Sequence, residues 1–294
     1  MEQMIQTKKL TKAYGNKKVV NQVSICVGRG DIYGLIGKNG AGKTTLIKML
    51  LGLTSPSAGQ ISLLGEADPN VARRRIGSLV EAPALYKNET AYENMKRFGI
   101  LSGATDEEIR QLLAFVGLAD TGKKKAGAFS LGMKQRLGIA IALLGKPELL
   151  ILDEPINGLD PEGIKEVRDL ILALNAQGVS FIISSHLLDE LGKIATKYGV
   201  LANGVLVEEL TAQELTENCR GSLKVVTDNG EQAAAILQNW NHDLQIQSHG
   251  DTIHISGEVD SSEVNYQLVT GGVRVYELLG EVMKLEDYFI ERMR

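Results

Sequence analysis

The chain has 294 residues, a formal net charge of −4 and 44% hydrophobic side chains, a size that suits about two domains and cores that need no disulfide. Its two cysteines, Cys26 and Cys219, exclude a disulfide scaffold and a cysteine-based zinc site. The acidic balance argues against nucleic acid as a partner, and no apolar run reaches the roughly 18 residues of a membrane span.

In chain order, Val23 to Val27 and Asp31 to Ile36 read as strands, and Lys43 to Leu51 as a helix after a glycine-rich turn. Ile76 to Val80 is a further strand. The stretch 91–145 is mostly helical, with breaks at Gly103 and at Gly122 to Gly127. Glu148 to Leu152 and Val179 to Ser184 are buried-type strands, with helices over Pro161 to Asn175 and Leu187 to Ala195. Buried strands joined by helical crossovers make a parallel α/β sheet, here with a helical insertion.

Beyond Asn218 the character changes. Residues 1–220 carry a net +3 and residues 221–294 a net −7, which places a boundary near Asn218 to Gly221. The second unit reads strand Leu223 to Val226, helix Glu231 to Asn239, strands Leu244 to Gln247 and Thr252 to Ser256 around a Gly250-Asp251 turn, helix Ser261 to Val269, strand Val273 to Tyr276 and a last helix from Lys284 to Met293. That β-α-β-β-α-β order is the ferredoxin-like arrangement of a small α+β domain.

Chemistry concentrates in the first unit. Gly37, Lys38, Asn39, Gly40, Ala41, Gly42, Lys43 and Thr44 match the G-x-x-x-x-G-K-[ST] pattern in full, between a strand and a helix. Such a loop curls backbone amides around phosphates. Its Lys reaches the outer phosphates and its Thr hydroxyl is a Mg²⁺ ligand. Leu149 to Leu152 is an apolar run ending in Asp153 and Glu154. A buried parallel strand presents its last carboxylates at the sheet edge where ligands bind; there Asp153 suits Mg²⁺ and Glu154 suits a general base.

With those motifs stand Tyr14, Glu81, Ser130-Leu131-Gly132-Met133, Gly158-Leu159-Asp160 and His186, in that order. The first 220 residues resemble the nucleotide-binding subunit of an ABC transporter. The resemblance implies a P-loop cassette with a parallel-sheet core, an antiparallel β part and a helical subdomain at about 91–145. It implies ATP and Mg²⁺ as cofactors, and hydrolysis with Glu154, His186 and Lys43 as catalytic groups. ATP would meet Tyr14 through its adenine, the loop from Gly37 to Thr45, Glu81, and Ser130, Gly132 and Asp160 of a second, head-to-tail copy. Thr44, Asp153 and Glu81 would surround Mg²⁺. The implied partner is an integral-membrane permease, with the chain peripheral on the cytoplasmic face of the cell membrane.

Two departures refine this. Leu131 and Met133 replace residues of the usual Leu-Ser-Gly-Gly-Gln signature, and Glu81 stands where most such subunits carry Gln. Both, with the stretch from Ile76 to Asn94, resemble the branch that protects bacteria from bacitracin and lantibiotic peptides. A general drug or lipid efflux ATPase is the alternative within transporters. A soluble ABC ATPase is less favoured, because the chain has one phosphate loop, one signature and no heptad run.

Overall fold

The computed structural model describes residues 2–219, 222–256, 259–281 and 285–292. It divides into two compact units, Gln213–Glu291 and one built mainly of Met1–Ala212. The expected boundary touches Arg220 and Gly221, which lie outside the described residues.

The first unit opens with β1 (Gln3–Tyr14), β2 (Lys17–Val23), β3 (Cys26–Gly28) and β4 (Ile32–Ile36), followed by α1 (Lys43–Leu50) and β5 (Ala58–Leu63). The single strand expected over Val23 to Val27 is two. The buried Thr7 hydroxyl donates to Val23 O at 3.1 Å and accepts Ile25 N–H at 2.9 Å, so a side chain interrupts the ladder. β1 pairs antiparallel with β2, β3 and β5, which is the antiparallel β part that the resemblance implied, although β1 itself was not among the strands read from the sequence.

Then come α2 (Pro69–Arg73), β6 (Ile76–Leu79), the helices α3 (Ala91–Gly99), α4 (Asp106–Phe115) and α5 (Leu131–Ala142), then β7 (Leu149–Asp153), α6 (Pro161–Ala176), β8 (Ser180–Ser185), α7 (Leu188–Gly192), β9 (Lys197–Ala202) and β10 (Val205–Thr211). α3 and α4 each begin with a capping box, Thr90 with Glu93 and Thr105 with Glu108, which satisfies two orphan donors reciprocally.

The large sheet runs β10-β9-β4-β8-β7-β6. All its pairs are parallel except β10 with β9. Every residue of β4, β7 and β8 is buried, as strands covered on both faces require. One core cluster joins both sheets to α1, with Leu10, Val27, Leu35, Leu46, Ile151 and Ile182 among its members. Each such aliphatic side chain contributes about 1.5–3 kcal/mol by leaving water. Parallel register sets Ile36 opposite Ser185 and Asp153 opposite Ser184. The ends of β4, β7 and β8 therefore share one edge.

The helix α8 (Ala212–Asn218) begins the remaining elements: β11 (Ser222–Thr227), α9 (Gly230–Trp240), β12 (Gln245–His249), β13 (Thr252–Ser256), α10 (Ser261–Thr270), β14 (Val275–Glu281) and α11 (Leu285–Arg292). The four strands lie in the order β12-β13-β11-β14, all antiparallel. This is the ferredoxin-like order, with the first and third strands of the unit side by side. α9 and α10 pack on the sheet through Ala233, Leu237, Val264 and Leu268. β14 starts two residues later than expected, because Val273 N–H closes the end of α10 on Leu268 O at 3.0 Å. Lys284 and Met293, the expected ends of the last helix, lie outside the described residues.

Candidate functional site

The turn after β4 carries Gly40 and Gly42 at φ 82° and 107°, a region open mainly to glycine. A Cβ on Gly42 would lie 2.7 Å from Val19 O, and one on Gly37 2.5 Å from Leu201 O. Side chains are excluded and backbone lines the hollow. Residues 38–45 with Val19 and Glu154 border an open recess at the start of α1. There the free N–H groups and helix dipole favour an anion.

Lys43, only 6% exposed, donates to Gly37 O at 2.6 Å. Its ammonium lies 3.3 Å from Glu154 Oε1. The other oxygen of Glu154 is 2.8 Å from His186 Nδ1. Lys43, Glu154 and His186 thus form one continuous polar chain beside the recess. Glu154 sits at φ 51°, a sparsely populated state for a non-glycine residue that its surroundings must hold. Its backbone N–H donates to Ser184 Oγ at 2.9 Å. Ser184 Oγ in turn donates to Asp153 Oδ1 at 2.5 Å, and Thr44 Oγ1 donates to Asp153 Oδ2 at 2.8 Å. Ser184 was not singled out by the sequence reading. A hydroxyl residue at the end of an apolar strand is the signal that could have found it.

Hydroxyl and carboxylate oxygens side by side are the donors a hard divalent cation takes, so Thr44 and Asp153 fit Mg²⁺. The amide-lined loop with a buried ammonium fits a phosphate chain.

Glu81 follows β6 at φ 61° and pairs with Lys48 of α1 at 2.8 Å. The hydrogen bond from Lys48 holds the Glu81 carboxyl below its ordinary range, and the same bond raises the Lys48 ammonium. The sequence reading did not pick out this lysine.

Tyr14 ends β1, opposite Lys17 of the hairpin. It is 54% exposed, with Lys12 Nζ 5.0 Å from its ring centre. Ser130 caps α5, accepting Met133 N–H at 3.2 Å. Asp160 caps α6, accepting Gly163 N–H at 3.0 Å. The two helix starts adjoin: a Cβ on Gly132 would be 3.8 Å from Gly163 Cα. Among the described residues, no hydrogen bond or ion pair ties Ser130, Gly132 or Asp160 to the loop of residues 37–45.

The ABC transporter family profile matches residues 20–157. The chain is 42% identical to the bacitracin transport ATP-binding protein BcrA of Bacillus licheniformis, over 99% of this chain and 97% of that one. It is 45% identical to the lantibiotic transport ATP-binding protein SrtF of Streptococcus pyogenes, over 70% of this chain and 90% of the relative. Among solved structures, an ATP-binding subunit of an ABC transporter aligns at 31% identity and a TM-score of 0.66, covering 73% of this chain and 92% of that one. An ABC transporter cassette in its ADP conformation aligns at 26% and 0.68, covering 74% and 95%.

Proposed function

The chain belongs to the ATP-binding proteins of ABC transporters, and from that premise we propose that it hydrolyses ATP to drive a separate membrane permease exporting or expelling antimicrobial peptides of the bacitracin or lantibiotic type. The observation that carries the substrate class is the 42% identity to a bacitracin transport subunit along nearly the whole chain.

In this reading the loop amides and Lys43 hold the phosphates. Glu154 takes the proton of the attacking water, and His186, bonded to the same carboxylate, orients it. Thr44 and Asp153, with Glu81 as a further carboxylate, would hold Mg²⁺, which would supply positive charge against the phosphoryl oxygens. Tyr14 stacks on adenine. Ser130, Gly132 and Asp160 serve a second copy of the chain, a reading supported by their lack, among the described residues, of a hydrogen bond or ion pair to the loop of their own copy. Among the described residues no helix is long and apolar enough to cross a membrane, and in this reading the spans belong to the permease. The chain is then peripheral on the cytoplasmic face, and the cassette lies within residues 1–220.

The test is hydrolysis in vesicles holding the chain with its permease. Bacitracin or a lantibiotic should raise phosphate release, and a lipophilic dye should not. Stimulation by the dye alone would favour general drug efflux. Glu154→Gln should keep ATP binding and reduce phosphate release by roughly 10²- to 10⁴-fold; unchanged release would remove the base assignment.

A further inference from the structure

The loop after Glu81 and the segment before Ser130 are joined by backbone. Ala126 N–H donates to Glu89 O at 2.7 Å, and Gly127 N–H to Lys87 O at 2.8 Å. Thr90 and Lys125 form a β-bridge, and Lys125 Nζ reaches Glu93 at 3.3 Å. The receiving side of this strap is fixed by Asn94, fully buried. Its amide accepts Tyr86 N–H at 2.8 Å and donates to Tyr86 O at 3.1 Å and Thr90 O at 2.9 Å. All three bonds of that side chain go to one five-residue loop.

On the giving side, residues 126–128 make one 3₁₀ turn. The buried Phe129 and the cap residue Ser130 follow directly. Gly127 is exposed and has no positive φ, so its backbone does not require glycine. Space does: a Cβ there would lie 2.9 Å from Lys87 O, a backbone atom that cannot swing away.

We infer that Gly127 is a positioning residue for the half-site this chain offers to the nucleotide bound by a second copy. Its missing side chain lets the strap close, and the closed strap sets where Ser130 and the start of α5 stand. The inference rests on the reading that two copies close on ATP. It adds a residue outside every motif of that reading, acting on pairing and not on the chain's own phosphate loop.

The experiment uses the full chain carrying Glu154→Gln, in which bound ATP should hold the pair together. Dimerisation is followed by light scattering against ATP concentration, and ADP affinity by calorimetry reports the chain's own loop. Adding Gly127→Ala should weaken ATP-driven pairing at least tenfold, about 1.4 kcal/mol. ADP affinity should stay within about twofold, some 0.4 kcal/mol. Lys87→Ala, which keeps the carbonyl and removes only the side chain, should pair normally. Equal pairing with and without Gly127→Ala overturns the positioning role. Loss of ADP affinity along with pairing overturns it too, by making Gly127 a folding residue. If Glu154→Gln alone stays monomeric in ATP, the two-copy reading fails and takes the inference with it.

Discussion

Lys43 is the residue on which the charge of the site turns. Its ammonium is buried between Gly37 O and Glu154, and in the proposed function its removal leaves the phosphates facing amides alone. Lys43→Ala should weaken ATP binding by more than tenfold, about 1.4 kcal/mol, in calorimetry; an affinity within twofold of the parent would end the phosphate-loop assignment. Glu81 makes a different kind of contact. Its partner Lys48 lowers its pKa, so the pair is intact above the ordinary carboxylate range and is lost only as pH falls through the lowered value. In neutral buffer it is fully formed. An exposed pair of this kind contributes little to stability, and the proposed function gives Glu81 a part in coupling hydrolysis to transport. Glu81→Ala should reduce peptide transport more than ATP hydrolysis when both are measured in the same vesicles, because Thr44 and Asp153 keep the cation. Equal losses would make Glu81 simply catalytic. The residues of the phosphate loop, Asp153 and Glu154 were legible because each motif fixes a backbone shape. Ser184 and Lys48 were not, because their partners lie 31 and 33 residues away and no local pattern marks them.

At the scale of elements, α6 shows how one side chain can serve two ends. Asp160 caps the helix and, in the proposed function, also faces the partner copy. Asp160→Ala should lower stability by about 1 kcal/mol, the usual worth of a lost N-cap, measured by denaturant unfolding. Asp160→Ser keeps an acceptor and should restore that stability, so any pairing defect left in Asp160→Ser belongs to the dimer seam. Strands β7 and β8 were legible because burial on both faces writes an unbroken apolar run. β1 was hidden by the opposite situation. It is half-exposed and rich in lysine and threonine, and its partners come from three separate places in the chain. α5 was placed within the helical stretch, and its start at the Ser130 cap was readable from the signature. Its tie to the loop after Glu81 runs through backbone atoms, which a sequence does not distinguish.

At the scale of the whole molecule, the two units have separate cores. The cluster behind the phosphate loop draws on residues from Met4 to Leu206, and the cluster of the acidic unit on residues from Leu223 to Leu278. A chain ended at Ala212 should therefore bind ATP within about twofold of the full chain by calorimetry, near 0.4 kcal/mol. A cassette that fails to fold would show that residues beyond 212 belong to it. The short strands and helices of the second unit were legible in the spacing of their apolar residues. Separate cores also mean separate fates under mutation. A substitution that loosens Val225 or Ile253 wears down the acidic unit while the nucleotide loop stays folded. Wear in the acidic unit is therefore expected to spare the shape of the phosphate loop, so that the two halves of the chain can drift at different paces.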